Sequence, residues 1–165
     1  MYLKQKDMFW AMDKGFVKAI MDIAESESCG EGDVLFQEGD QADNFYILLK
    51  GRVKLILGQT GQAVYVVSNA GEAFGWSSLV GRGSYSASAV CATPTKLLKF
   101  QRQRLEEAVE KHPINAIVFF KRIAELLGNR LLQSYAMIAS GSRADVSTSY
   151  GSGQVIDNTA AELEG

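Results

Sequence analysis

The stretch that decides the fold covers residues 32–55 and reads GDVLFQEGDQADNFYILLKGRVKL. Gly39 and Gly51 stand at positions where tight turns need a positive φ, which glycine adopts without steric cost. Between them the apolar run at residues 45–49 predicts a buried strand. The stretch therefore predicts consecutive short strands joined by tight turns.

Further short strands follow this stretch. We predict strands at residues 34–37, 45–49, 52–57, 63–67, 85–92 and 95–100, with a hairpin turn at residues 58–61. Many short strands at close, fairly regular spacing indicate a sandwich, a barrel or a jelly roll, and not a parallel sheet. The middle of the chain is therefore mainly β.

Helical periodicity flanks the strands. Apolar residues three and four positions apart predict helices at residues 8–27, 102–110 and 114–139, and Pro113 suits the first turn of the last one.

The last helix carries a heptad-spaced seam at Ile117, Phe120, Ala124, Leu127, Leu131, Ser134 and Ile138. It is also apolar off the seam, at Val118, Phe119, Ile123 and Leu126. Two apolar faces need two partners. We expect one face on the β-region and the other on a second copy of the chain; burial of the whole helix within its own domain is the alternative.

The length of 165 residues suits one domain with a short appendage. We predict a domain at residues 1–139, made of an N-terminal helical segment (8–27), a β-roll (32–100) and C-terminal helices (101–139). From residue 140 the composition changes to Gly, Ser, Thr, Asp and Ala with scattered apolar residues. Such a segment buries too little apolar surface to order itself, which predicts a flexible tail at residues 140–165.

Residues 32–55 closely resemble the first signature of cyclic-nucleotide-binding domains of the catabolite activator and fumarate-nitrate regulator type. A second turn at residues 71–79 and a long Pro-started helix follow at the expected distances, so the likeness covers about residues 12–139. The resemblance implies a mainly-β jelly roll (a double-stranded β-helix, or β-roll) with flanking helices, the last a dimerisation helix. It also implies a regulatory protein in which a ligand in the roll changes the state of that helix.

The second motif departs from the family pattern. In the family it reads Phe-Gly-Glu, two small or apolar residues and Leu, followed by an Arg that begins a strand; the Glu holds the ribose hydroxyl and the Arg holds the cyclic phosphate. Here Gly75 and Leu79 match, but Trp76 occupies the Glu position and Ser86, ten residues later, occupies the Arg position. Both directly recognising side chains are replaced.

Three interpretations follow. In the first, the domain still binds a cyclic nucleotide or another small anionic ligand through backbone N–H groups, serine hydroxyls and Arg82. Trp76 then stacks on a flat ligand, or else fills the pocket itself. The expected ligand-binding residues are Phe74, Gly75, Trp76, Ser77, Ser78, Leu79, Arg82, Ser84, Ser86 and Ser88.

In the second interpretation the protein is a ligand-free dimerisation or protein-interaction module on the same fold. Its contact residues are those of the long helix, and its output is borne by a partner protein. Family transcription factors continue from this helix into a helix-turn-helix domain, whereas here a Gly/Ser-rich segment follows. Together with a net charge of -2, this predicts no direct DNA binding.

The third interpretation, an enzyme or metal protein, finds no support in the residues. His112 is the one histidine, which is too few for a cupin-type metal site, and its place before a helix favours capping. No Gly-x-Ser-x-Gly elbow occurs, so we expect neither catalytic nor metal-ligating residues.

Cys29 and Cys91 lie far apart with no CxxC spacing, which favours free thiols in a reducing compartment over a mutual disulfide or redox switch. Without a signal-peptide pattern or an apolar run of roughly 20 residues, we expect a soluble cytoplasmic protein with no membrane contact.

Overall fold

A computed structural model describes residues 8–58, 61–141, 147–150 and 154–157. The chain forms two units, residues 1–123 and 124–165. The elements in chain order are α1 (Lys14–Asp22), β1 (Glu25–Cys29), β2 (Val34–Phe36), β3 (Asn44–Lys50), β4 (Val53–Ile56), β5 (Ala63–Val67), β6 (Ala73–Phe74), a 3-10 turn (Trp76–Ser78), β7 (Ser88–Cys91), β8 (Thr95–Gln101), α2 (Arg102–Glu110), α3 (Pro113–Gly141), β9 (Ser147–Tyr150) and β10 (Gln154–Asp157).

Two four-stranded antiparallel sheets form the centre of the first unit. The strand order is β1-β8-β3-β6 in the first sheet and β2-β7-β4-β5 in the second. Strands close in sequence are thus divided between the sheets, as in a jelly roll. The predicted fold class, mainly β with flanking helices, is confirmed.

The inner faces of the two sheets share one apolar core. In β4, Val53 and Leu55 are buried while Lys54 between them is exposed, the alternation expected for a strand with one solvated face. The buried residues of this core are Phe36, Ala42, Tyr46, Leu48, Val53, Leu55, Val67, Phe74, Tyr85, Ala89, Cys91 and Leu97.

A second, aromatic cluster lies between the outer face of the first sheet and the helices of the first unit. Phe119 of α3 is 0% exposed and has its ring centroid 6.2 Å from that of Phe9 and 6.1 Å from that of Phe45. Residues 45–48 of β3 are all buried because the strand is covered on both faces, which explains its uninterrupted apolar run. The expectation that one face of the long helix packs on the β-region is confirmed.

The prediction of a helix over residues 8–27 is wrong at both ends. Asp13 caps α1, since its Oδ1 accepts hydrogen bonds from the N–H groups of Gly15 (2.8 Å) and Phe16 (3.2 Å), so the helix begins at Lys14. It ends at Asp22, and residues 25–29 pair with β8 as strand β1. A short polar strand of this kind carries little periodic signal, and the pairing with β8 determines its conformation.

Two other elements differ from the prediction. The strand expected at residues 85–92 is confined to Ser88–Cys91, because Tyr85 instead exchanges backbone hydrogen bonds with residues 39 and 40. Within the expected flexible tail, Ser147–Tyr150 and Gln154–Asp157 form an antiparallel pair. Both segments contain β-branched residues, and a Gly-Ser-Gly sequence separates them, which is a hairpin pattern that the overall composition obscured. The other tail residues beyond Gly141 lie outside the described part of the chain.

Candidate functional site

The segment that joins β6 to β7, residues 74–88, contains every predicted ligand-binding residue; we call it the cassette. Its second residue, Gly75, lies in the left-handed region at φ 74° and is followed by the 3-10 turn. A Cβ at Gly75 would lie 2.9 Å from Cδ2 of Tyr46 and 3.1 Å from the carbonyl oxygen of Asn44. Glycine is therefore required here both for its backbone conformation and for the close approach of the cassette to β3.

The 3-10 turn satisfies its own carbonyls. The N–H groups of Ser78 and Leu79 donate to the carbonyls of Gly75 (3.2 Å) and Trp76 (2.9 Å). The buried hydroxyl of Ser78 also donates to the carbonyl of Gly75, at 2.9 Å. Ser78 thus stabilises the turn, and the first N–H groups of the turn, on Trp76 and Ser77, are the ones that a turn leaves without an internal acceptor.

Two of the predicted residues come together across the cassette. The hydroxyl oxygens of Ser77 and Ser86 lie 3.5 Å apart, and Ser77 is only 3% exposed. Ser86 stands where the family pattern has its phosphate-binding arginine. The residue that the sequence count places at the arginine position therefore lies next to the 3-10 turn and presents a short neutral side chain.

Other predicted residues have different surroundings. The hydroxyl oxygen of Ser88 accepts a hydrogen bond from the N–H of Glu38 (2.9 Å) and so ties β7 to the turn before β3. Phe74 is fully buried and stacks on Tyr46 at 5.1 Å between ring centroids, which makes it a core residue. Ser84 and Arg82 are exposed. Ligand contacts of these residues stay predictions.

Trp76 is half-buried and is not among the described residues that pack in the core between the sheets. Both alternatives for Trp76, stacking on a flat ligand and filling the pocket itself, stay predictions. Leu79, two residues after Ser77, is half-buried as well. The one charged side chain within the cassette is that of Arg82, so the site has no buried charge.

Tyr85, which was not among the predicted site residues, anchors the cassette to β3. The hydroxyl of Tyr85 donates to the carbonyl of Asn44 (2.8 Å) and accepts from the N–H of the same residue (3.0 Å). Its ring stacks on Phe36 at a centroid distance of 3.7 Å. Burial raises the pKa of Tyr85 and that of the neighbouring Tyr46, so both hydroxyls remain protonated at neutral pH. The signal in the sequence is the aromatic residue between Ser84 and Ser86, which alternates with polar neighbours.

Two polar clefts lie elsewhere on the first unit, and both include Asn44. One of about 470 Å³ is lined by Glu27, Ser28, Cys29, Asp33, Val34, Leu35, Asn44, Tyr46 and Lys99. Another of about 400 Å³ is lined by Asp43, Asn44, Gln101, Arg102, Gln103 and Glu106. Each cleft contains one internal ion pair: Lys99 lies 3.7 Å from Glu27 in the first, and Arg102 lies 2.9 Å from Glu106 in the second.

Within the described ranges, no three His, Cys, Asp or Glu side chains are grouped so as to hold a metal ion. Among the helices that the structure describes, none combines the length and the apolar character that a membrane crossing requires.

Comparison with known proteins agrees with this architecture. Residues 26–112 match the family described as cyclic nucleotide-binding domain. The chain belongs to that family, and the resemblance to its catabolite-activator-type sensor domains is confirmed.

Individual relatives cover different shares of the chain. The cyclic AMP receptor protein of Thermus thermophilus is 30% identical over 106 residues, which are 63% of this chain and 47% of the receptor. Lysophospholipase nte1 of Aspergillus fumigatus is 29% identical over 96 residues, 57% of this chain but only 6% of that enzyme. Among solved structures, a protein described as a cyclic nucleotide-binding protein of Geobacter metallireducens is 31% identical with a TM-score of 0.67, over 75% of this chain and 91% of that one. The chain thus spans about half or less of the curated relatives it matches.

Proposed function

We propose that this protein is a regulatory sensor domain of the cyclic nucleotide-binding type whose cassette has changed or lost its original ligand. The observation that carries the proposal is the pair Ser77 and Ser86: the turn and the former arginine position still face each other, 3.5 Å apart, without the charge. In this proposal the geometry of recognition is retained, while the charged interaction of the arginine is lost.

The chemistry of the pair limits the ligand. A guanidinium binds a phosphate with two parallel charge-assisted hydrogen bonds, which a serine hydroxyl cannot replace. Loss of one charged hydrogen bond costs about 1.5–3 kcal/mol. A ligand of this cassette would be held by the N–H groups of Trp76 and Ser77, by the two hydroxyls, and by Arg82 if the loop closes over it. We therefore expect cyclic AMP to bind weakly. The alternative ligands are a small anion and a flat molecule that stacks on Trp76.

The proposed output is the long helix. On its predicted seam Ile117 is 59% exposed and Ile138 is 65% exposed, and Phe120 and Leu131 are exposed as well. Leu127 is half-buried, whereas Phe119 of the opposite face is buried. Apolar side chains left exposed at heptad spacing favour pairing with a second copy of the same helix. Ligand occupancy would regulate the dimer or a partner protein if the ligand binds two states of this helix with different affinity.

Thermal unfolding with and without a ligand tests the proposal, because a ligand of the native state raises the midpoint according to its concentration and Kd. The ligands are cyclic AMP, cyclic GMP, a cyclic dinucleotide and inorganic phosphate, each at about 1 mM, which is above the Kd of roughly 10–200 μM that remains when a micromolar site loses one charged contact. A shift with any of them that disappears in Ser77→Ala supports a working sensor. A shift that Ser77→Ala leaves unchanged would place the binding elsewhere and contradict the proposal.

A ligand-free dimerisation or interaction module is the second candidate. The lack of a buried charge in the cassette, together with the exposed seam, favours it, since the seam needs no ligand to bury apolar surface. No shift with any ligand, combined with a dimer that dissociates when the seam is mutated, would establish this alternative. A cytoplasmic location and the lack of direct DNA contact stay predictions.

A further inference from the structure

The fold brings the two cysteines together at the junction of the two sheets. Cys29 ends β1 in the first sheet and Cys91 ends β7 in the second. The turn after Cys29 lies against β7, where the N–H of Gly32 donates to the carbonyl of Cys91 and the N–H of Cys91 donates to the carbonyl of Asp33, both at 2.8 Å. Cys29 also packs against the apolar core to which Cys91 belongs. Two cysteines packed together where two sheets meet are the arrangement from which a disulfide forms with little movement of the backbone.

The two thiols differ in access. Cys29 is half-buried and lines the 470 Å³ cleft, which gives a small molecule a route to this residue. Cys91 is 1% exposed and belongs to the apolar core between the sheets. One thiol is thus open to a reagent in solution, and the other can react only with the first.

We propose that Cys29 and Cys91 are a reversible dithiol–disulfide pair that covalently joins the two sheets, with Cys29 as the entry thiol and Cys91 as the resolving thiol. The inference is independent of the proposed function of the cassette. It assigns a modification site to a part of the protein that the ligand site does not use.

The oxidant is a low-molecular-weight disulfide, RSSR. The Cys29 thiolate attacks one sulfur of RSSR, forming a mixed disulfide and releasing one thiolate, which takes up a proton. The Cys91 thiolate then attacks Sγ of Cys29, forming the Cys29–Cys91 bond and releasing the second thiolate, which is protonated likewise. The two protein thiols lose two protons and two electrons, and RSSR becomes two RSH.

The surroundings of the pair control the speed of this reaction. Burial, the neighbouring Cys91 and the carboxylates of Glu27 and Asp33 raise the pKa of Cys29 to about 11. Burial also raises the pKa of Cys91. Lys99, the cation of the same cleft, is paired with Glu25 and Glu27. Because the thiolate is the attacking species, the pair reacts slowly at neutral pH and responds to a sustained oxidising potential more than to a brief pulse of oxidant.

The test treats the reduced full-length protein with oxidised glutathione at pH 8 and quenches with acid. Free thiols are counted in denaturant, and intact mass and non-reducing gel mobility are recorded. We expect both thiols to be lost, the mass to fall by two hydrogen atoms, the protein to migrate as a single chain, and dithiothreitol to reverse all three changes. The thermal midpoint should rise by roughly 5–15 °C, since the bond closes a long loop in the unfolded state.

The single variants provide the controls. In Cys91→Ser the reaction should stop at a glutathione adduct on Cys29, and in Cys29→Ser the buried Cys91 should stay unmodified. A wild-type protein that keeps both thiols, that stops at a stable mixed disulfide, or that is linked to a second chain would overturn the proposal. Should a variant fail to fold, peptide mapping of the oxidised wild-type protein still decides, because the Cys29–Cys91 peptide pair is either found or not found.

Discussion

The hydroxyl group of Tyr85 holds both backbone polar groups of Asn44, donating to its carbonyl at 2.8 Å and accepting from its N–H at 3.0 Å. Tyr85 belongs to the cassette and Asn44 begins β3, so this reciprocal pair fixes the cassette to the first sheet. Ser86, at the former arginine position, is the next residue in the chain. The conformation of the site thus depends on a core tyrosine that touches no proposed ligand group.

Tyr85→Phe should lower the free energy of unfolding by about 1–3 kcal/mol, because it leaves a part-buried N–H and carbonyl of Asn44 without their partner. Urea denaturation measures the change. Tyr135→Phe is the matched control: this tyrosine is exposed on α3, and its loss should change stability by less than about 0.5 kcal/mol. Equal effects of the two substitutions would show that the hydroxyl of Tyr85 is not an anchor.

Alanine substitutions at Gly75 and Gly81 distinguish the energetic cost of backbone strain from that of a steric clash. Both have φ 74°, but an added Cβ at Gly75 would collide with Tyr46 and Asn44, whereas at Gly81 it would meet nothing within 4 Å. Gly81→Ala should cost about 1 kcal/mol for the left-handed backbone alone. Gly75→Ala should cost about 1–3 kcal/mol more, because the close approach of the cassette to β3 is lost. Chemical denaturation of both variants provides the comparison, and similar values would contradict the close approach.

Restoring the two recognition groups should restore nucleotide binding. The double variant Trp76→Glu with Ser86→Arg is expected to bind cyclic AMP about ten- to a hundredfold more tightly than the wild-type protein, from one charged hydrogen bond of about 1.5–3 kcal/mol. Isothermal titration calorimetry measures the affinity. Trp76→Glu with Ser84→Arg adds the same charges but puts the arginine at an exposed position, so it should gain little. A folded Ser86→Arg double variant with no gain would mean that the pocket is closed to nucleotides for other reasons.

The oligomeric state should depend on the seam of α3. Leu127→Asp with Leu131→Asp places two carboxylates among apolar side chains of the proposed helix pair, and we expect it to convert a dimer to a monomer in sedimentation equilibrium. Asn129→Asp with Gln133→Asp adds the same two charges on the opposite side of the helix and should leave the mass of the assembly unchanged. If both double variants sediment as the wild-type protein does, the seam is not the dimer contact.

The reactivity of Cys29 should follow its raised pKa. Its rate of alkylation by iodoacetamide should increase about tenfold per pH unit from pH 7 and level off near pH 11, because only the thiolate reacts. In the unfolded chain the alkylation rate of Cys29 should level off near pH 9, which is the ordinary pKa of a thiol. The folded state therefore binds more protons than the unfolded state between these values, and Cys29 contributes stability below pH 9 that is lost as the pH rises towards 11. Quantitative peptide mass spectrometry measures the rate at each pH, and a midpoint near 9 in the native protein would refute the buried environment of Cys29 beside Cys91.

The local pattern of the sequence determined the fold class and most of the elements. The alternation in β4 and the unbroken apolar run of β3 specify strands with one and two covered faces, and the two apolar faces of the long helix predict two partners. The predicted replacement of both recognition residues also rests on the sequence alone, because it depends only on the ten-residue distance from Trp76 to Ser86 along the chain.

Long-range contacts decided what local pattern could not. Strand β1 has a polar sequence and takes its conformation from pairing with β8, which lies far along the chain. Cys29 and Cys91 looked unrelated because sequence separation carries no information on which strands of two packed sheets meet. Tyr85 became an anchor, and Ser88 a tie to Glu38, only because the sheets bring distant backbone groups within hydrogen-bonding distance. A residue's neighbours along the chain set its conformational preference, but its contacts across the fold set its role. These contacts form only when the whole core packs.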